Sequence, residues 1–117
     1  MLPLGSILDR IGRHRVIQDL ARYGAQIEEA TDGLKVRFPN GTIWLVRLAV
    51  SALGDPPWPS EAERAQLIEA AEGLGAVAVL ARVRLIRPRR NRRSKIRYYD
   101  LKVYRETHPG LFFIPGG

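Results

Sequence analysis

The chain has 117 residues, of which 45% are hydrophobic, a composition that favours one globular domain and argues against a disordered polypeptide. It contains no cysteine, which excludes disulfides, thiolate catalysis and cysteine-type zinc sites. Its 19 basic and 12 acidic residues leave a net charge of +7, and this balance favours a polyanionic partner.

The first third of the sequence predicts one helix and two strands. In residues 11–23, IGRHRVIQDLARY, apolar side chains recur at helical spacing, and Gly24 is a natural stop. Residues 25–30 can form a short strand, and TDG at 31–33 is typical of a turn. LKVRF at 34–38 alternates apolar and charged residues, as a half-buried strand does.

The middle of the sequence predicts a central strand followed by a helix. Residues 42–52, TIWLVRLAVSA, are apolar on both faces apart from Arg47, so we place this strand inside the sheet. Ser60 then opens a capping box with Glu63, which predicts a helix over 61–72 that ends at glycines.

Two more strands are predicted near the end, over 76–86 (AVAVLARVRLI) and 96–105 (IRYYDLKVYR). One face of the first changes from Ala78 and Leu80 to Arg82 and Arg84, so we expect that strand to emerge from the core toward its end. Alternation places three side chains on the apolar face of the last strand: Tyr99, Leu101 and Val103. A helix between two consecutive strands implies that those strands pair in parallel. The order α-β-β-β-α-β-β therefore predicts a single α/β domain over 1–117, a restriction-endonuclease-like mixed sheet flanked by helices.

Between the last two strands lies IRPRRNRRSKIR, which we interpret as a basic hairpin tip at 87–97. It holds seven cations and no acid: Arg87, Arg89, Arg90, Arg92, Arg93, Lys95 and Arg97. Their number equals the whole net charge of +7. Like charges at this density repel one another, so the sequence predicts that these side chains bind a nucleic acid. The alternative is a solvated loop that keeps the protein in solution.

The tail at 107–117 contains LFFIPGG, a sequence that is unfavourable in water. We expect it to cover an edge of the sheet or to contact another subunit through four residues: Leu111, Phe112, Phe113 and Ile114. Trp58, which stands between prolines, is a further candidate for a subunit contact. Tyr99 is expected to pack in the core or in an interface, although the tyrosines after the basic segment are also candidates for base stacking.

No set of catalytic or metal-binding residues is recognisable. His14 and His108 are far apart in sequence and belong to no metal-binding pattern. A metal-dependent nuclease of the predicted fold needs Glu-x-Lys on its central strand, but Arg47 and Ala49 stand there, and a cation repels Mg²⁺. We expect no catalytic residue, no metal and no cofactor. Without a signal peptide or a membrane-span pattern, we expect a cytoplasmic protein with no membrane partner.

Several segments resemble archaeal tRNA-splicing endonucleases. RVIQDLARYGAQI resembles the helix-to-strand segment of that family, and three later segments resemble its strands: TIWLV, VAVLARV and KIRYYDLKV. The likeness covers about residues 13–104. The family cleaves RNA without metal by means of a Tyr, a His and a Lys. Carried onto this chain, these positions fall near Arg37 or Phe38, at Gly41 and near Ala76, so all three groups are missing.

The resemblance therefore implies a non-catalytic structural subunit of a hetero-oligomer. Its partners would be a catalytic endonuclease subunit and precursor tRNA with a bulge-helix-bulge fold. The family joins its subunits through an acidic loop, whereas the hairpin tip here is basic, so this chain departs from that pattern.

A rival resemblance leads to a different function. PNGTIWLVRLAVS at 39–51 and the segment 60–83 also resemble archaeal Holliday-junction resolvases, with Asp9 in place of a catalytic Glu. Because Arg47 and Ala49 replace the Glu and Lys of that family, this resemblance implies an inactive DNA-binding protein. A basic ribosome-associated structural protein is the third alternative. The first two families share a fold, so the predicted fold is the same for both.

Overall fold

Two antiparallel meanders, joined by one parallel pair of strands, form the sheet. The computed structural model describes residues 4–31, 33–85 and 95–112, with side chains from residue 7 onward. The elements in chain order are α1 (Leu4–Ala21), β1 (Gln26–Ala30), β2 (Gly33–Arg37), β3 (Ile43–Ser51), α2 (Glu61–Gly73), β4 (Val77–Arg84), β5 (Lys95–Asp100), β6 (Arg105–Thr107) and a 3-10 turn (Pro109–Phe112).

The strands lie in the sheet in the same order as in the sequence, β1-β2-β3-β4-β5-β6. Strands β3 and β4 are parallel, and α2 connects them, while every other neighbouring pair is antiparallel. The predicted α/β class, a mixed sheet flanked by helices in one domain, is confirmed. Neither helix in the described ranges has the length and apolar content that a bilayer crossing requires.

Helix α1 covers one face of the sheet, which we call the α1 face. Val16 and Leu20 of the helix are fully buried there. The helix begins at Leu4, well before the predicted start at residue 11, and continues through Gly12. A Cβ atom at Gly12 would lie only 2.5 Å from Cγ2 of Val50. The glycine therefore does not interrupt the helix; it allows close contact with β3.

Helix α2 covers part of the opposite face, which we call the α2 face. Its buried core is made of small and aliphatic residues: Leu45, Ala49, Leu67, Ala71, Ala78, Leu80 and Leu101. The predicted capping box is confirmed, because Ser60 Oγ accepts from the Glu63 backbone at 3.2 Å and the Glu63 carboxylate accepts from the Ser60 backbone at 3.1 Å. The cap sets where the helix begins, and hence how much of the sheet it covers.

The prediction of one continuous strand over 96–105 was wrong. Strand β5 ends at Asp100, whose carboxylate accepts a 2.9 Å hydrogen bond from the backbone of Lys102. This local hydrogen bond favours a turn where the strand was predicted to continue. Tyr104, at the end of the turn, takes the left-handed conformation with φ of 53°. The chain then returns as β6. Val103 consequently lies in the turn and is 60% exposed, not on an apolar face.

The tyrosine in the core is Tyr98, not Tyr99. Tyr98 is 3% exposed on the α1 face, and its ring centroid lies 5.5 Å from that of Trp44. Tyr99 and Leu101 do share the opposite face, as alternation predicted, but Tyr99 is only half-buried there. The stretch IRYYDL supplies apolar side chains to both faces of the sheet, so its sequence does not reveal which face is buried more deeply.

The described part of the tail packs against its own chain. The Phe112 ring lies 5.4 Å from Phe38 and 5.6 Å from Trp44, on the α1 side of the core. The His108 ring meets the Tyr23 ring edge-on at 5.6 Å. Leu111 remains 72% exposed. The other two residues of the expected tail contact, Phe113 and Ile114, lie outside the described residues.

Candidate nucleic-acid interface

The α2 face changes from apolar to cationic along β4. Ala78 and Leu80 are buried beneath α2, and the next two residues on the same face are Arg82 and Arg84. This change occurs toward the carboxyl ends of the parallel strands β3 and β4, the edge at which open α/β sheets commonly bind ligands. The prediction that β4 emerges from the core near its end is confirmed.

Strand β5 places two more cations directly opposite these arginines. The register pairs Arg82 with Arg97 and Arg84 with Lys95. Directly opposed residues have Cβ atoms about 5 Å apart, and like charges in such pairs destabilise a sheet. We call these four residues the sheet cation cluster: Arg82, Arg84, Lys95 and Arg97. Two successive like-charged pairs concentrate positive charge on one face.

The hydrogen bonds of the sheet cation cluster leave most of its charge uncompensated. Arg82 donates from Nε and Nη2 to the Pro56 carbonyl at 3.2 and 2.5 Å, and Arg84 donates from Nε to the Leu53 carbonyl at 2.8 Å. These acceptors are neutral. The Asp55 carboxylate approaches Arg84 only to 3.9 Å and is 89% exposed. Within the described ranges, no acid forms an ion pair with Arg82, Lys95 or Arg97.

The cluster lines an open cleft of about 230 Å³. Its walls combine the four cations with one acid, one proline and one aromatic ring: Arg82, Arg84, Lys95, Arg97, Asp55, Pro56 and Tyr99. Enclosed small-molecule sites usually span about 300–1,000 Å³. A smaller, open and cationic cleft is better suited to one part of an anionic polymer.

An aromatic group adjoins the cleft. The Trp58 ring lies 4.9 Å from Tyr99 and 6.0 Å from Tyr104, each at an interplanar angle of 66°. The Arg82 guanidinium carbon sits over the Trp58 ring, 4.4 Å from its centroid, which is cation–π geometry. Trp58 is still 45% exposed. Basic and aromatic side chains are thus interleaved on one surface.

Two of the seven predicted binding residues are described, and they lie in the sheet. Lys95 and Arg97 belong to β5, so the hairpin tip predicted over 87–97 is shorter than expected at its C-terminal end. The other five lie outside the described residues: Arg87, Arg89, Arg90, Arg92 and Arg93. Sequence reasoning did not assign Arg82 and Arg84 to the site. Both arginines alternate with apolar residues along β4, and Lys95 and Arg97 alternate in the same way along β5. This shared pattern was the sequence signal that could have placed all four on one face.

Arg47 occupies the place where a metal-dependent nuclease would need a carboxylate. Its Nη2 donates to the Glu63 carboxylate, so Arg47 pairs with the first turn of α2. Hydrogen bonds from Ser60 hold the pKa of Glu63 below its ordinary value of 4.5, and the Arg47 charge adds to this effect. In the described structure, Arg47 therefore anchors α2 to β3.

Asp9 lies on the other side of the sheet from Arg47. It lines a cleft with Glu29 and Leu48 on the α1 face, where Arg13 donates to Glu29 at 3.1 Å. The resolvase resemblance grouped Asp9 with Arg47 and Ala49, but Arg47 and Ala49 face α2. Among the residues with described side chains, no three His, Asp or Glu lie close enough together to hold a metal ion.

The positions carried over from the splicing endonucleases have no acid–base groups. Phe38 is 2% exposed and packs edge-on against Trp44 at 4.7 Å, so it serves the core. Gly41 lies in the turn between β2 and β3 with φ of 91°. Comparisons of the chain with protein-family models, curated proteins and solved structures gave no match.

Proposed function

We propose that the chain binds a structured nucleic acid through the sheet cation cluster and has no cutting activity of its own. The juxtaposition of Arg82 with Arg97, and of Arg84 with Lys95, carries this proposal. Each pair is repulsive in the free protein, and phosphate groups bound by the paired side chains on this face of the sheet would convert repulsion into attraction. Neutral carbonyl partners hold the two β4 arginines in place without neutralising them.

The basic segment between the two strands supports the same proposal. Five further arginines stand at 87–93, between the β4 and β5 cations in the sequence. Because the chain passes through this segment between Arg84 and Lys95, we include its arginines in the proposed binding surface. Arginine suits the task because its planar guanidinium can donate two parallel hydrogen bonds to one phosphate.

The resemblance to splicing endonucleases gives the finer form of the proposal. The chain would be a non-catalytic subunit of a hetero-oligomer that supports a catalytic subunit and contacts precursor tRNA. The residues proposed for the subunit contact are Trp58, Leu111, Phe112, Phe113 and Ile114; Leu111 is the most exposed of the described ones. A ribosome-associated role remains the third alternative.

A resolvase-like protein that binds DNA junctions is the second candidate. This candidate is supported by the sequence resemblance and by the sheet cation cluster, and not by Asp9, which lies on the other side of the sheet from Arg47 and Ala49. A junction-binding protein of this kind would need no catalytic partner. Both candidates use the same cationic surface, and they differ in the nucleic acid and in the partner.

Binding measured by fluorescence anisotropy over a series of salt concentrations tests the proposal. The probes are a four-way DNA junction, a bulge-helix-bulge RNA and fully paired duplexes of equal length. We expect binding that weakens as salt rises. The double variant R84A/R97A should lower affinity at least about tenfold and flatten the salt slope by about one unit per lost phosphate contact. R10A/R15A, which removes two exposed charges from α1, is the matched control.

A second variant separates the sheet from the basic segment. Replacing Arg89, Arg90, Arg92 and Arg93 with Ala should weaken binding and flatten its salt dependence independently of R84A/R97A. Absence of binding to any probe by the unmodified chain would overturn the proposal.

Two further measurements distinguish the candidates. The pure chain should leave the RNA and the junction uncut, with or without Mg²⁺, and robust cleavage would contradict a non-catalytic role. Co-purification of a catalytic endonuclease chain in stoichiometric amount supports the splicing subunit. Selective junction binding by the chain alone supports the resolvase-like protein.

A further inference from the structure

We infer that Trp58 and the sheet cation cluster together form a site for one unpaired nucleotide, with its base stacked on Trp58 and its phosphate held by the cluster. This inference rests on the proposed function and specifies its substrate class: nucleic acids that contain a bulged, looped or otherwise unpaired nucleotide. It also gives Trp58 a role other than the subunit contact expected from the sequence.

The first observation is the open surface of the Trp58 ring. Arg82 covers one face of the indole at 4.4 Å, while Tyr99 and Tyr104 meet it at a steep angle and do not stack on it. With 45% of its surface exposed, Trp58 remains accessible to a further contact. A large apolar ring held at the surface among charged groups is an uncommon use of tryptophan, but it is usual where proteins stack bases.

The second observation is the distance relationship between the ring and the cations. Tyr99, which contacts Trp58, lines the same cleft as Lys95, Arg97 and Arg84. Residues two apart on one strand are separated by about 6.6 Å, so Arg97 lies one such step from Tyr99 and Lys95 lies two. One nucleotide can thus reach both the aromatic surface and the nearer pair of cations, Arg82 and Arg97.

The third observation is that the loop holding Trp58 is already ordered. Prolines flank the tryptophan at 57 and 59 and restrict the backbone, and the Pro56 carbonyl is fixed by two hydrogen bonds from Arg82. Arg82 therefore both positions the loop and stacks on the ring. A ring positioned in advance loses little conformational freedom when a base binds.

An unpaired nucleotide follows from these features because bases inside a duplex already stack on both neighbours. Their faces are closed to a protein ring, whereas a bulged or looped base exposes its face for stacking on an aromatic side chain. Asp55 adds one carboxylate to the cleft wall and would repel a phosphate. The four cations of the cluster outnumber it, and D55N should raise affinity for every nucleic acid probe.

The test compares two duplexes that differ by a single bulged nucleotide. We expect the bulged duplex to bind more tightly, and W58A to remove that preference, with a loss of about 5- to 100-fold for the bulged probe and little change for the paired one. L53A is the matched control, since Leu53 is a 60% exposed apolar residue in the same loop. W58F should retain part of the preference because it keeps an aromatic face.

A spectroscopic arm reports stacking directly. A 2-aminopurine placed at the bulge should lose fluorescence when the unmodified chain binds and should keep it with W58A. The chain has two tryptophans, and Trp44 is buried, so quenching of the exposed Trp58 by the bulged probe gives a second readout.

Each result has a defined meaning. If neither duplex binds, the proposed function itself fails. If both bind equally and W58A matches L53A, the cationic surface stands and the unpaired-nucleotide site is wrong. If W58A leaves the preference unchanged but releases a protein partner in sedimentation experiments, Trp58 is a subunit contact and the inference is overturned.

Discussion

The hydroxyl of Tyr98 in β5 donates a 2.7 Å hydrogen bond to the Asp19 carboxylate of α1. The bond joins residues 79 positions apart in the sequence and ties the helix to the half of the sheet that carries the cations. Burial raises the pKa of Tyr98 well above its ordinary value of 10.0, and the bond to Asp19 raises it further. The phenol therefore remains a donor under all ordinary conditions.

Replacing Tyr98 with Phe should lower the free energy of unfolding by about 1.5 kcal/mol, because the substitution removes a hydrogen bond to a charged acceptor and keeps the packed ring. Urea unfolding of the two proteins measures the difference. Y99F is the control: within the described part of the chain the Tyr99 hydroxyl has no hydrogen bond, and its removal should change stability by less than about 0.5 kcal/mol. Equal effects would show that the Asp19 bond contributes nothing.

The capping box of α2 predicts a loss of stability in acid. A carboxyl group whose pKa is lowered in the folded state stabilises the protein above its unfolded pKa, and this contribution disappears as pH falls through the folded pKa. For Glu63 the loss should begin near 4.5 and continue below it. E63Q should flatten this part of the stability–pH curve, and E69Q, at an exposed site in the same helix, should not.

The same cap can be tested at neutral pH. S60A should lower the free energy of unfolding by about 1 kcal/mol, as is usual when a helix loses its capping hydroxyl. Thermal or urea unfolding at pH 7 measures this effect. A smaller change would mean that the pairing of Glu63 with Arg47 is sufficient to hold the start of α2.

Two glycines with positive φ allow the cost of backbone strain to be compared with the cost of a steric clash. Gly33 has φ of 148°, and a Cβ there would lie 2.1 Å from the Val46 carbonyl oxygen in β3. Gly41 has φ of 91° and no atom within 4 Å of a Cβ. G41A should cost about 1 kcal/mol, and G33A about 3 kcal/mol because β3 must move. Chemical denaturation of both variants tests this difference, and similar losses would argue against the close approach.

Reversing one charge of the sheet cation cluster should have opposite effects on stability and binding. R97E places an acid opposite Arg82, so we expect the free protein to gain about 0.5 kcal/mol at low salt, since the site is exposed and screened. Nucleic acid affinity should fall more than tenfold. R15E on α1 controls for the change in net charge. A loss of both stability and binding would mean that Arg97 is held by an attractive contact.

The features that the sequence predicted are those with local causes. Ser60 and Glu63 form a cap within one helical turn, and a helix between two apolar strands implies their parallel pairing; both inferences hold. Alternation along β4 also predicted correctly where that strand leaves the core. Each of these depends on residues close together in the chain.

The features missed depend on contacts between distant residues. Whether Tyr98 or Tyr99 is buried is decided by Asp19 and Trp44, neither of which is near them in the sequence. The cationic surface requires the register of β4 against β5, and Trp58 joins it only through Arg82. The turn after Asp100 was missed although its cause is local. Its Asp-x-Lys sequence favours a turn, but the alternating apolar residues around it led to the prediction of a continuous strand.

The two meanders have a consequence for how the chain folds. Every antiparallel pair joins strands that are neighbours in the sequence, so β1 to β3 and β4 to β6 can each form from short-range contacts. Only the parallel pair must bring together segments separated by α2. We therefore expect docking of two preassembled halves across β3 and β4 to set the folding rate, with the single crossover as the slow step.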